Sequence, residues 1–117
     1  MNNKQLKAIK SHIMKTGGAT LSPRGLYITL MTRGYMVSVK GYELKTSIEK
    51  LDKRTLERYQ KIAHSKGAYV GLWLDKGVLY VDISKNIMQL NTALSMAKVN
   101  EQLAIYDNAK GDSIYLQ

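Results

Sequence analysis

The segment Tyr69–Ile83 constrains the fold more than any other part of the sequence. Apolar and polar residues alternate on both sides of Lys76-Gly77, which is the pattern of a β-hairpin with a two-residue turn. A turn there puts the aliphatic side chains of both strands on one face, in the pairs Leu74–Leu79, Leu72–Val81 and Val70–Ile83. The other face then carries the pairs Trp73–Tyr80 and Gly71–Asp82. A face so uniformly aliphatic requires a covering layer.

Two further segments follow the same rule. In Leu26–Lys40, a turn at Arg33-Gly34 predicts the aliphatic pairs Leu30–Val37 and Ile28–Val39. In the segment 103–116, a loop over 108–111 predicts the pairs Leu103–Leu116 and Ile105–Ile114. A register shifted by one residue would mix polar and apolar side chains on each face. We therefore predict three hairpins.

Helical periodicity appears in three other places. The segment Asn3–Lys15 puts Leu6, Ile9 and Ile13 on one face, and Gly17-Gly18 ends it. Asp52 is suited to cap a second helix that runs to about Lys66, with Gly67 as its stop. A third helix starts at Asn91 or Thr92 and ends near Asn100. The segment 45–51 has no clear pattern.

The predicted order of elements is therefore αββαββαββ. This order, in a chain of 117 residues, predicts a single α+β domain over residues 1–117. We expect an antiparallel sheet of five or six strands, built from β-hairpins, with about three helices packed over one face.

Positive charge is concentrated in the first part of the chain. Residues 1–67 carry 14 Lys or Arg and 4 Asp or Glu, whereas residues 68–117 carry 4 and 5. This asymmetry favours a polyanionic partner, and the predicted phosphate contacts are Lys4, Lys7, Lys10, Arg54, Arg58 and Lys61. The alternative is that each helix only packs its apolar stripe on the sheet and leaves its cations in solvent.

Aromatic side chains provide a second possible contact. Under the predicted registers six of them point away from the aliphatic face, namely Tyr27, Tyr69, Trp73, Tyr80, Tyr106 and Tyr115. Exposed rings can stack on nucleic-acid bases, and the flanking Arg24, Arg33 and Lys40 could hold phosphates. We single out Tyr27, Trp73 and Tyr80 for stacking. Alternatively, the aromatic pairs stabilise the sheet or a helix covers them, while Met31 and Met36 suit a protein contact.

No set of residues in the sequence resembles a reaction centre. The chain has no cysteine and two histidines, His12 and His64, neither of which has a triad partner nearby in sequence. Gly17-Gly18 follows a helix, whereas phosphate-binding glycine loops precede one. We expect no enzymatic activity, metal or cofactor. Without an apolar stretch long enough for a membrane span or a secretory signal, we also expect a cytoplasmic protein that does not bind membranes.

Four short runs, Gly34–Glu43, Gly71–Asp75, Leu79–Ser84 and Gln102–Asp107, resemble small accessory proteins of bacteriophages and mobile elements. The resemblance covers roughly Gly34 to Asp107 and implies a bacterial host cell and a role in binding nucleic-acid machinery. One hypothesis is a protein that binds DNA, RNA or a nucleoprotein complex through its basic N-terminal portion. The alternative is an anti-CRISPR-like inhibitor or adaptor that docks on a host defence nuclease, such as a CRISPR effector, by protein contact. The oligomeric state stays open.

Overall fold

A computed structural model describes residues 1–116. It has three helices and a seven-stranded antiparallel sheet, which confirms the predicted α+β class. The helices are α1 Asn3–Thr16, α2 Lys53–Lys66 and α3 Leu90–Val99. The strands are β1 Gly18–Leu21, β2 Tyr35–Ser38, β3 Leu44–Thr46, β4 Tyr69–Asp75, β5 Val78–Ile87, β6 Ala104–Asp107 and β7 Asp112–Tyr115.

The sheet is organised around the long strand β5. The strand order is β1-β4-β5-β2-β6-β7, and β3 also pairs with β5. The first part of β5 pairs with β3, up to Val81 opposite Leu44, and its last part pairs with β2, from Ser84 opposite Ser38. Asp82 therefore lies between the part of β5 that pairs with β3 and the part that pairs with β2.

All three helices cover the same face of the sheet. Helices α1 and α2 both pack on β4, and the buried core there includes Ile13, Leu56 and Val81. Helix α3 buries Ala93 and Ala97 against Val37 and Ile105, on β2 and β6. The aliphatic residues of the 69–83 hairpin thus form the covered face, as their alternation predicts, and Ile105 of β6 joins them, whereas Leu103 is 83% exposed. Within residues 1–116, none of the helices is both long and apolar enough to cross a membrane.

The helix ends follow local chemistry that the sequence shows. The carboxylate of Asp52 caps α2 by accepting a hydrogen bond from the Thr55 nitrogen at 2.8 Å, and this bond holds the pKa of Asp52 below its ordinary value. Gly67 ends α2 with φ of 63°, a left-handed conformation that glycine adopts without strain. Helix α3 begins at Leu90, slightly before the predicted Asn91 or Thr92.

Two of the three predicted hairpins are confirmed in their registers. Strands β4 and β5 pair as expected around Lys76-Gly77, with Trp73 opposite Tyr80 and Gly71 opposite Asp82. Lys76 and Gly77 both have positive φ, of 50° and 81°, as this two-residue turn demands. Strands β6 and β7 pair Ile105 with Ile114. In both hairpins the apolar pattern and the turn specify the same register.

The predicted hairpin over 26–40 is wrong. Strand β2 pairs with β5 and β6 on its two sides, whereas Ile28 forms an isolated bridge with Leu21 of β1. Alternation shows which side chains share a face but not which strand is the neighbour. As a central strand, β2 bonds its backbone on both edges and buries Val37 completely. Leu30, the predicted partner of Val37, is 81% exposed.

The strand count also differs from the prediction. Three strands, not two, lie between α1 and α2, so the order is αβββαββαββ and the sheet has seven strands rather than five or six. Strand β1 directly follows Gly17, which the sequence marks only as a helix end. Strand β3 is three residues long and falls in the segment that showed no clear pattern. Such short strands depend on their neighbours rather than on their own sequence.

Candidate binding surfaces

The two N-terminal helices form a layer with a large excess of positive charge. Helices α1 and α2 contain nine Lys or Arg and a single acidic residue, Glu57. We call the nine cations the basic helical layer: Lys4, Lys7, Lys10, Lys15, Lys53, Arg54, Arg58, Lys61 and Lys66. Because the apolar stripes of both helices face the sheet, these side chains occupy the outer and lateral faces of the layer.

None of these nine cations forms an ion pair in the described part of the chain. Residues 1–116 contain two ion pairs, one between the Met1 nitrogen and Glu57 at 3.1 Å, and one between Lys40 and Glu101. The only acidic side chain of the two helices is therefore used by the Met1 nitrogen. Arg58 and Lys66 lie over the rings of Tyr59 and Tyr42, at 5.6 and 5.1 Å from the ring centres. The layer thus presents a positive field that is offset locally by the carboxylate of Asp52, near Arg54 and Arg58, to only a small extent.

The three predicted loop cations are scattered rather than gathered. Arg24 is exposed in the turn after β1. Arg33 is exposed beside the β6–β7 turn, where its carbonyl accepts a hydrogen bond from Asn108. Lys40 pairs with Glu101 after α3, so part of its charge is already used.

The opposite face of the sheet carries a groove of about 700 Å³. We call it the sheet groove. The polar residues at its centre are Asp82, Ser38 and Ser84. The larger side chains that line it include Trp73, Tyr80, Met31, Met36 and Tyr106. His12 and Thr16, near the end of α1, lie at its rim. The groove combines apolar walls with a few convergent polar groups, as small-molecule sites do.

Asp82 is the most unusual group in the groove. Its carboxylate accepts hydrogen bonds from the hydroxyls of Ser38 at 2.6 Å and Ser84 at 3.0 Å. Burial, with a smaller contribution from the charge of Glu43, raises the pKa of Asp82, although the two hydroxyls oppose the shift. A Cβ atom at Gly71 would collide with its Oδ1, so any larger residue there would force the carboxylate to shift.

Substitution of Asp82 should therefore change the pH dependence of stability. Burial disfavours the ionised carboxyl only in the folded protein. At a pH above 3.8, its ordinary pKa, the folded protein therefore still holds a proton that unfolding releases. The contribution of Asp82 to stability is then greatest at low pH and declines as the pH rises from 3.8 through the raised pKa. We expect Asp82→Asn to gain stability relative to the native chain over this interval, measured by urea unfolding from pH 3 to 8.

The control for net charge is Asp75→Asn, which removes a carboxylate from an exposed position on the same hairpin. If the free energies of unfolding of both variants depart equally from that of the native chain as the pH rises, burial of Asp82 is not the cause.

The predicted stacking residues lie away from the basic helical layer. Trp73 and Tyr80 line the sheet groove, on the face without helices, and Trp73 is 52% exposed. Tyr27 is exposed in the turn between β1 and Ile28. The sheet therefore separates the two groove aromatics from the cations of α1 and α2. A single stretch of nucleic acid cannot contact both surfaces without passing around the sheet edge.

Sequence reasoning missed the cluster around Asp82. The register of β4 and β5 placed Gly71 opposite Asp82, which was the available signal for a side chain that needs space. The contribution of Ser38 depends on the pairing of β2 with β5, and the predicted local hairpin hid that pairing. Among residues 1–116, no three acidic or histidine side chains are grouped as a metal site would require.

Comparison of the chain with models of protein families, with curated proteins and with solved structures found no match. The two surfaces are therefore interpreted from their own chemistry.

Proposed function

We propose that this chain is a non-catalytic accessory protein of a phage or mobile element that binds DNA or RNA, alone or in a nucleoprotein complex, through the basic helical layer. The observation that carries the proposal is the set of nine cations on two neighbouring helices, none of them ion-paired within residues 1–116. Cations at this density that form no ion pair give up no salt bridge when they bind phosphate, and they release counterions from the nucleic acid.

The size of the layer suits a short tract of nucleic-acid backbone. Each of its helices has 14 residues and is therefore about 21 Å long. Along one strand of B-form DNA, phosphates recur about every 3.4 Å of axis, so one helix length spans about six phosphates. Six of the nine cations were expected from the sequence to contact phosphate, and five of those six side chains are exposed, Lys10 being half-buried. The six candidate cations thus equal the number of phosphates that one strand presents along one helix length.

Salt dependence of binding tests this proposal. We expect fluorescence anisotropy with labelled 20-nucleotide single strands and 20-bp duplexes to show an affinity that falls steeply from 50 to 300 mM salt. Each neutralised phosphate contributes a slope of about 0.7 to 0.9 in log affinity against log salt. Contacts by four to six cations thus give slopes of about 3 to 5. A slope below about 1, or no binding at 50 mM salt, would contradict the proposal.

A protein target is the second candidate, because large apolar side chains remain exposed. Leu30, Val99 and Leu103 are each more than 80% exposed, and such residues suit a protein contact when they cluster. In this case the chain would act as an anti-CRISPR-like inhibitor or adaptor on a defence nuclease. Affinity capture from bacterial lysate, with and without nuclease digestion, separates the candidates. Capture of one nuclease that survives digestion supports the second, whereas recovery of nucleic acid alone supports the first.

A further inference from the structure

The carboxylate of Asp82 lacks a cationic partner in the described chain. Neither of the two ion pairs within residues 1–116 involves it. A carboxylate removed from water is normally paired with a cation or coordinates one, because hydrogen bonds from neutral groups compensate only part of the lost hydration. In the part of the chain that the structure describes, its side-chain donors are the neutral hydroxyls of Ser38 and Ser84. An external cation would complete the interactions of this group.

The two hydroxyls use only part of the hydrogen-bonding capacity of the carboxylate. Ser38 donates to Oδ2 and Ser84 donates to Oδ1, one bond to each oxygen. An ionised carboxylate accepts about four hydrogen bonds, so each oxygen retains capacity for another. Two further donors arriving side by side match the planar fork of a guanidinium, which binds carboxylates through two parallel N–H···O bonds. An ammonium offers no such fork.

The walls of the groove suit the same group. Trp73 and Tyr80 form a cross-strand pair next to Gly71 and Asp82, and Tyr106 lines the groove as well. Aromatic faces attract cations, and a guanidinium also stacks on them. The Nζ atom of Lys45 lies 5.7 Å from the centre of the Tyr80 ring, so this ring already attracts one cation of the chain.

Local charge favours a cation here although the whole chain carries a net charge of +9. The charged groups that line the groove are Asp82 and Asp112, and Glu43 adds its charge from the segment before β3. None of the nine cations of α1 and α2 lines the groove, although His12 and Thr16 near the end of α1 do. Lys45 adds one positive charge over the Tyr80 ring, and the three carboxylates exceed it, so the local charge still favours a cation.

We propose that the sheet groove binds a small guanidinium compound, held by the Asp82 carboxylate and stacked against Trp73 and Tyr80. The groove, at about 700 Å³, has the size of a small-molecule site. This site is independent of nucleic-acid binding by the basic helical layer, so either proposal can fail without the other.

Trp73 gives a direct readout, because it is the only tryptophan of the chain and lines the groove. We expect n-butylguanidinium to change the Trp73 fluorescence in a saturable manner and to raise the melting temperature. The isosteric neutral compound n-butylurea should do neither at the same concentrations. Equal effects of the two compounds would overturn the proposal, because the carboxylate would then contribute nothing.

The matched variants separate the carboxylate from the fold. Asp82→Asn keeps the size of the side chain, and we expect it to weaken n-butylguanidinium binding about tenfold to a hundredfold, the range for charge-assisted hydrogen bonds. Asp75→Asn removes one charge elsewhere on the hairpin and should leave the affinity within about twofold, since exposed distant charges are screened. Unchanged affinity in Asp82→Asn, with its cooperative unfolding intact, would overturn the assignment.

Binding should also tighten as the pH rises through the pKa of Asp82, because n-butylguanidinium keeps its charge while the carboxyl ionises. The other titratable groups around the groove are His12, Glu43 near β3, Lys45 on β3, Tyr80, Tyr106, and Asp112 on β7. The same titration in Asp82→Asn shows whether Asp82 is the responsible group. If binding still depends on pH in Asp82→Asn, another group is responsible.

Tighter binding of the capped tripeptide Gly-Arg-Gly than of n-butylguanidinium would overturn the small-molecule assignment in favour of a peptide.

Discussion

Removal of six cations from the basic helical layer should lower affinity for nucleic acid at least about a hundredfold at 50 mM salt. Between 1 M and 0.1 M salt, each phosphate contact raises the affinity close to tenfold. The affinity lost by removing a contact therefore grows as the salt concentration falls. The slope of log affinity against log salt should decrease by about 3 to 5. The variant carries glutamine at Lys4, Lys7, Lys10, Arg54, Arg58 and Lys61, a substitution that preserves helix propensity.

A control of equal net charge shows whether location matters. It carries glutamine at six exposed cations outside α1 and α2, namely Arg24, Arg33, Lys45, Lys76, Lys98 and Lys110. We expect this control to retain affinity within about tenfold, because its substitutions change the distant field rather than the contacts. Equal losses in the two variants would mean that net charge alone drives binding. The hypothesis of a dedicated helical surface would then be wrong.

The second large effect concerns Gly71 and Asp82. The Cβ atom of alanine at position 71 would collide with the Asp82 Oδ1, so the carboxylate must shift, which perturbs its hydrogen bond with Ser84. We expect Gly71→Ala to lower the free energy of unfolding by about 1 to 3 kcal/mol, the usual range for overpacking. In an Asp82→Ala background this cost should disappear, giving a coupling energy of at least about 1 kcal/mol in urea unfolding.

Gly18→Ala is the matched comparison for this cycle. Its Cβ atom would lie 2.8 Å from the backbone oxygen of Leu72, which Asp82→Ala does not remove. Its cost should therefore be the same in both backgrounds. If the cost of Gly71→Ala is also unchanged by Asp82→Ala, the carboxylate is not what requires a glycine at position 71.

Local patterns predicted those parts of the fold in which sequence neighbours are also spatial neighbours. The hairpin at Lys76-Gly77 combines alternation with a specific turn, and the helix from Asp52 to Gly67 combines an apolar stripe with two end signals. Each has several local features that agree, which explains the correct register and bounds. The fold class follows from these elements.

The pairing of β2 could not be obtained in this way. Its partners β5 and β6 are distant in sequence, and the alternation in 26–40 fitted a local hairpin equally well. Ser22-Pro23-Arg24-Gly25 is a turn signal that could have linked β1 to Ile28 instead. Because the groove chemistry depends on Ser38 of β2, the candidate site was also out of reach. The clustering of cations on α1 and α2, by contrast, was visible from the sequence.

Hydrogen exchange of the protein with and without a bound 20-nucleotide strand tests the central claim most directly, because the two candidate surfaces lie on opposite faces of the sheet. At 50 mM salt and saturating strand, we predict added protection in α1 and α2 and unchanged exchange around Trp73 and Tyr106 in the sheet groove. Protection confined to the groove strands β4, β5 and β6, with α1 and α2 unaffected, would contradict the account.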